Sequence, residues 1–212
     1  MGSGRCTAEY GTSMAQHTPS SAPGAGNALT RALARAVLRV AGWRIEGEAP
    51  DEPKLVLVGA PHTTNLDFVL AKVTATALGV RLHWVGKRSL FPRWLAPLVR
   101  RLGGIPVDRE SSAGFVESMV AEFRRRDRFY LALMPAGTRA TPDRWHSGFY
   151  FIARDAGVPM LLIGFDWGRR TMRLGPTVRA LPGASYEDEV AQIRAHFDGV
   201  AGRRTGAACA PA

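Results

Sequence analysis

Apolar residues follow two rhythms along this chain. Short unbroken runs at Lys54 to Ala60 (KLVLVGA), Arg128 to Met134 (RFYLALM) and Pro159 to Asp166 (PMLLIGFD) predict strands buried on both faces. Arg81 to Gly86 and Ile105 to Val107 predict two shorter ones. Between the runs, apolar residues recur at three- and four-residue intervals, the period of a helix with one buried face. That spacing predicts helices over 66–78, over 90–102 with breaks at Pro92 and Pro97, and over 149–156. Ser111 or Ser112 can cap another, carrying Val116, Met119, Val120 and Phe123 inward and ending in Arg124, Arg125 and Arg126. Ser185 with Asp188 forms a capping-box pattern for a last helix whose apolar face is Val190, Ile193, Phe197 and Val200. Strand and helix alternate, so the expected fold is α/β: a single domain with a central, mostly parallel or mixed sheet flanked by helices.

The N-terminal part adds a basic amphipathic helix. Leu29, Leu33, Val37 and Val40 recur at helical spacing beside a stripe of Arg31, Arg35 and Arg39. Two readings stand: the Leu and Val side chains pack on the core beneath a solvated Arg face, or the helix lies on a membrane surface. Residues 1–28, rich in Gly, Ser, Thr, Ala and Pro, read as a disordered leader, residues 29–201 as the folded domain and residues 202–212 as a frayed tail. No apolar run approaches the ~20 residues of a membrane-spanning helix.

Charge narrows the partners. The 212 residues carry a net charge of +10, and residues 29–109 hold seven of those charges. An anionic partner is expected, either an acidic membrane surface or a phosphorylated or carboxylated substrate. Nucleic acid is not expected, because the Arg residues are scattered rather than interleaved with exposed aromatics and no nucleic-acid motif occurs. Cys6 and Cys209, both in the tails, offer neither a disulfide scaffold nor a zinc cluster, which points to a cytoplasmic address.

Candidate chemistry concentrates where strands are expected to end, the edge at which α/β sheets bind ligands. His62 and Asp67 are five residues apart across such an end. If Thr63 to Asn65 curl into a first helical turn, the carboxylate reaches back to the imidazole, fixes its tautomer and leaves the other ring nitrogen free to take a proton. The same two residues also fit a plain helix start, with Asp67 favoured by the helix dipole. After the strand ending at Met134 come Pro135, Ala136, Gly137, Thr138 and Arg139. Gly137 would let backbone N–H groups approach an oxyanion, Thr138 can donate and Arg139 can fork onto phosphate; a plain turn is the alternative. A third segment, Gly103 to Arg109 (GGIPVDR), again sets glycine before a short strand and a base after it.

In order, the HTTNLD, GGIPVDR and PAGTR segments and Val158-Pro159 opening a strand resemble the glycerolipid acyltransferases of the lysophosphatidate (1-acylglycerol-3-phosphate) acyltransferase type, over residues 40 to 180. Gly86 to Phe91 (GKRSLF) and Gly148 to Ala153 (GFYFIA) add likeness to a short bacterial branch. The resemblance implies that His62 is a general base oriented by Asp67, and that Arg109 and Arg139, with Lys87, Gly137 and Thr138, contribute to substrate binding. It implies acyl-CoA or acyl carrier protein as donor, a lysophospholipid-like acceptor, no cofactor, and a peripheral position on the inner face of the cell membrane. The family pattern has Glu in the acceptor loop where this chain has Ala136. That difference keeps two alternatives open: the same chemistry on another hydroxyl or amine acceptor of a specialised lipid or natural product, or a catalytically weak membrane-surface binding protein on this scaffold.

Overall fold

The computed structural model describes residues 19–107, 112–136 and 145–203. In chain order the elements are α1 (Ala28–Val40), β1 (Arg44–Gly47), β2 (Lys54–Ala60), α2 (Asn65–Ala77), β3 (Leu82–Lys87), α3 (Ala96–Arg101), β4 (Gly104–Val107), α4 (Ser112–Arg125), β5 (Phe129–Leu133), α5 (Gly148–Ala156), β6 (Met160–Asp166), β7 (Thr171–Val178) and α6 (Tyr186–Ala195), with a 3-10 turn over Arg88–Leu90 before α3. Among the described residues the strands form one sheet in the order β1-β7-β6-β2-β5-β3-β4. Every neighbouring pair is parallel except β6 with β7. The fold is therefore the single α/β domain with a mixed sheet that alternation implies.

The central strands β2, β5 and β6 are apolar apart from Lys54 and Asp166 at their ends, because helices cover both faces. Val56, Val58, Leu131 and Leu133 face the layer of α4, α5 and α6, where Phe123, Phe149, Ile152 and Phe197 are buried. Leu55, Leu57, Tyr130 and Leu161 face the layer of α1 and α2. Gly103, at φ +88, turns the chain from α3 into β4; a Cβ there would strike the Leu82 carbonyl oxygen, so only glycine fits. Pro97 falls in the first turn of α3, where its missing N–H costs nothing, so the segment expected as one broken helix is a 3-10 turn followed by a short helix.

Two strands escape the hydrophobic pattern. β1 (RIEG) is short and half polar, and β7 (TMRLGPTV) carries Gly175 and Pro176. Pairing with β1 stops at Leu174, so Pro176 lies where β7 has β6 alone beside it and no ladder donor is lost on the other side.

The N-terminal helix forms as expected, capped by Asn27, but its Leu and Val stripe does not face the core. Ala34 and Leu38 are the buried positions, against α2, whereas Leu29, Leu33, Val37 and Val40 are 76%, 64%, 48% and 90% exposed. Small Ala34 allows close approach to α2, and Arg35 donates from Nε to the Ala77 carbonyl at 3.1 Å, covering the C-terminal end of that helix. Residues 19–27, assigned by composition to the leader, are tied to the domain: Ser21 N–H donates to Asp51 (2.7 Å), Ala25 N–H to Gly79 (2.8 Å), and Ala22 is buried.

Candidate active site

β2 delivers the chain through Pro61 to His62, and Thr64 then starts α2. A helix start leaves N–H groups without intrahelical partners. Asp67, in the first turn, turns back and takes two of them: Thr63 N–H and Thr64 N–H each donate to Oδ2 at 2.7 Å. The expected helix-start role of Asp67 is thus real, and it does not compete with the other one. The Nδ1 atom of His62 lies 3.2 Å from the same Oδ2, with 16% of the His62 side chain exposed and none of Asp67. That distance is within hydrogen-bond range, while the ring N–H is not yet aimed at the oxygen; such bonds commonly tighten only when substrate is bound.

The other oxygen of Asp67 takes a partner that neither spacing nor hydrophobic pattern singles out. Trp167, one residue past β6, donates from Nε1 to Oδ1 at 2.7 Å across 100 residues of sequence. Burial by itself would raise the Asp67 pKa, but the imidazole of His62 beside it and hydrogen bonds from Thr64, Trp167 and Thr63 outweigh it and hold the carboxyl below its ordinary value. The result is an ionised, fully enclosed carboxylate beside a partly exposed imidazole.

The remaining expected residues divide. Lys87 ends β3 and is exposed; β5 separates β3 from β2, which puts it roughly 10 Å to one side of His62 along the same edge. Ala136 follows β5, the strand beside β2. Arg109, Gly137, Thr138 and Arg139 lie outside the described residues. Thr63 is 3% exposed. Its N–H is committed to Asp67, so a contribution from Thr63 to oxyanion stabilisation would have to come from its hydroxyl, whose oxygen accepts Arg203 N–H at 3.1 Å. Among the described residues no three His, Cys, Asp or Glu side chains gather as a metal site requires.

One turn along α2 from Asp67 begins a narrow apolar cavity between α2 and the sheet, part of it open to solvent; neither His62 nor Asp67 lines it. On α2 its wall is Ala71, Thr74, Ala75 and Leu78, the face that carries Asp67 one turn earlier. On the sheet its rim is Gly59, Met134 and Phe165. A Cβ on Gly59 would lie 2.6 Å from the Met134 sulfur and 2.8 Å from the Phe165 ring, so glycine lets these two side chains close over β2 three residues before His62. Exposed apolar side chains stand at the same end of the fold: Leu66 and Val69 in the first turns of α2, Trp94 beyond β3, and Val40 at the end of α1. Among the described residues no helix is long and apolar enough to cross a membrane.

No curated protein matches the sequence. Among solved structures the fold is similar to the 1-acyl-sn-glycerophosphate (LPA) acyltransferase PlsC from Thermotoga maritima, with a TM-score of 0.56 and 14% identity over 79% of this chain and 75% of that one. The family model described as Acyltransferase matches residues 43–165, which include β2, the turn bearing His62 and Asp67, and more than half of the 212 residues. The chain belongs to the acyltransferase family.

Proposed function

We propose that the protein transfers a fatty acyl group from a thioester, acyl-CoA or acyl carrier protein, to a hydroxyl of a lysophospholipid-like acceptor, with His62 as general base and Asp67 as its orienting and charge-balancing partner. The carrying observation is the His62 Nδ1 to Asp67 Oδ2 approach of 3.2 Å, with every other contact of that carboxylate a hydrogen-bond donor. The other ring nitrogen, Nε2, takes the proton of the acceptor hydroxyl as its oxygen attacks the thioester carbonyl. The tetrahedral oxyanion then collapses, the carbon–sulfur bond breaks, and the imidazolium returns the proton to the leaving thiolate. Ester and free thiol are the products, and no redox step is involved. A positioned base of this kind is worth about 10² to 10⁴ in rate.

The apolar cavity that begins one turn along α2 from Asp67 is the proposed seat of the acyl chain. From Ala71 to Leu78 its wall on α2 rises about 10 Å, the reach of a short acyl chain. Lys87, together with Arg109 and Arg139 as the family resemblance implies, would hold the anionic head of the acceptor. The exposed stripe of α1 and the apolar side chains around the site support a peripheral position on an anionic membrane, where lipid substrates reside. Ala136 favours a second reading, in which the chemistry is unchanged but the acceptor is another hydroxyl or amine.

The test is thiol release from an acyl thioester with lysophosphatidate present, run on the parent and on His62→Ala, with melting measured alongside. The expected outcome is a rate loss of about 10² to 10⁴ in a protein that still melts cooperatively, at a somewhat lower temperature because only 16% of the His62 side chain is exposed. Turnover within a few-fold of the parent would remove His62 from the mechanism. Turnover by the parent on other hydroxyl or amine acceptors, and not on lysophosphatidate, would select the second reading.

A further inference from the structure

We propose that Trp167 is a positioning residue for acyl transfer: its indole N–H holds Oδ1 of Asp67 so that Oδ2 faces His62, and the segment after α6 holds Trp167 in that pose. The inference rests on the His62–Asp67 reading and goes beyond it. Trp167 also lies outside the stretch matched by the family model.

An acid whose task is only to start a helix needs the N–H groups of its own turn. Thr63 and Thr64 supply them, both on Oδ2. Oδ1 has no comparable local donor, since the Thr64 hydroxyl stands 3.5 Å away. The 2.7 Å bond from Trp167 is therefore the one full-strength donor shown on that oxygen, and it comes from another strand end. With each oxygen held from a different direction, the carboxylate plane cannot rotate about its terminal torsion, which for Asp is otherwise soft. The oxygen offered to His62 thus stays fixed when the imidazole moves to meet substrate.

Trp167 is itself held on several sides. Its backbone N–H donates to the Ala201 carbonyl at 2.9 Å. The guanidinium of Arg203 lies 5.2 Å from the ring centre, and Trp43 meets the ring edge-on at 4.9 Å. Two residues after Ala201, Arg203 N–H donates to the Thr63 hydroxyl at 3.1 Å. The strap 201–203 thus touches both the residue beside His62 and the residue behind Asp67. Indole, strap and helix start form one support around a carboxylate with no exposed surface.

The electrostatic effect has a definite sign. Catalysis requires His62 neutral and Asp67 ionised. Removing the indole donor makes the carboxylate a stronger base, which then retains the shared proton on His62 more tightly, so the acid limb of the kcat/KM profile moves to higher pH. A residue that only filled space would change melting and leave that limb in place.

The experiment compares parent, Trp167→Phe and His62→Ala in thiol release across pH. Trp167→Phe keeps most of the ring and its contact with Trp43 while deleting the N–H. The expected result is a fall of about 10- to 100-fold in kcat, the usual worth of a charge-assisted hydrogen bond, with little change in KM for the thioester and the acid limb displaced upward. A Trp167→Phe enzyme with the parent's kcat and acid limb overturns the proposal, whatever its melting temperature. If His62→Ala turns over like the parent, the underlying dyad reading fails as well; if His62→Ala is inactive and Trp167→Phe is parent-like, only the role of Trp167 falls. Should Trp167→Phe not fold, the parent decides by nuclear magnetic resonance. The Trp167 indole N–H signal is expected to move together with the Asp67 carboxyl carbon on acid titration, and independent behaviour of the two overturns the proposal.

Discussion

Asp67→Asn separates the helix-start role of this residue from the catalytic one proposed for it. The carboxylate accepts from Thr63 N–H and Thr64 N–H on Oδ2 and from Trp167 on Oδ1, with His62 beside Oδ2. An Asn amide has one acceptor oxygen and one donor group. Turning the oxygen toward Thr63 and Thr64 preserves two bonds and sets the NH₂ against the indole N–H; the opposite orientation sacrifices two to preserve one. The first orientation wins, and its cost is a lost charge-assisted bond plus a buried donor left unpaired, together about 2 to 4 kcal/mol of stability. It also keeps an acceptor facing His62 Nδ1, so the ring tautomer survives and only the negative charge is lost. Where an amide imposes the wrong tautomer, the same change costs about 10⁴ in rate. Here the expected loss is smaller, about 10² to 10³. A pH dependence follows from the lowered Asp67 pKa. The group contributes stability above its unfolded value near 3.8 that is lost as pH falls through the lower folded value, and the Asn variant should lack that acid-side decline. Single-turnover thioester cleavage and melting between pH 2 and 7 measure both. A variant within a few-fold of the parent rate would show that the charge has no part in the chemistry, and one equally stable at neutral pH would contradict the donor count.

Ala75→Phe places a ring against the wall of the cavity, so kcat/KM for long-chain donors should fall at least 10-fold more than for short-chain ones; equal loss at every length would mean that the chain lies elsewhere. Leu29→Ser combined with Leu33→Ser should weaken vesicle partitioning roughly a hundredfold, at ~1.5 kcal/mol or more per side chain transferred to hydrocarbon, and leave melting unchanged because both residues are exposed. A large drop in melting, with vesicle binding intact, would restore the inward-facing reading of that stripe. Burial, and after it the neighbouring Arg126 guanidinium, push the His83 pKa down to about 4. The unfolded chain therefore binds more protons between pH 4 and 6.5, so stability is complete above 6.5 and falls by on the order of 3 kcal/mol as pH drops through that window. Melting of His83→Gln should be flatter over the same range, and an equal slope would place the acid sensitivity in another group.

The sheet was legible where burial on both faces writes itself as an unbroken apolar run, as in β2, β5 and β6. It was not legible at β1 and β7, whose polar and Gly-Pro content is tolerated because β1 is an edge strand with β7 alone beside it and β7 has only β6 beside it beyond Leu174. Helical periodicity located α1 and left its apolar face open between core and membrane. A stripe with four-residue spacing records that a helix has two sides, and only the partner helix decides that Ala34 and Leu38 are the side pressed against protein. The spacing of His62 and Asp67 was informative because five residues across a helix start is a local geometry. Trp167 left no such trace, since its bond to Asp67 is made by strand order. The signal available was its place at the carboxyl end of a buried strand, where ligand-facing residues gather.

The same carboxylate carries stability and, on the proposed reading, catalysis, and this has a consequence for the charge of the site. Asp67 is saturated with donors, and Asp166, at the end of the adjacent strand β6, is paired with Arg173 at 2.9 Å. With Ala136 at the end of β5, that side of the edge lacks the carboxylate that the family pattern would set there. Lys87 stands exposed beyond it. On the proposed reading, an anionic head group approaching His62 would meet Lys87 without the acid that the family pattern sets at position 136, which strengthens attraction and removes a hydrogen-bond acceptor that could orient a neighbouring hydroxyl. On that reading Ala136 would leave affinity for a phosphate intact and weaken the means of choosing which hydroxyl reaches His62. On this argument the chain should tolerate several anionic hydroxyl acceptors with similar kcat/KM. A strong preference for one regioisomer of lysophosphatidate would show that another group has taken over the work of the missing Glu.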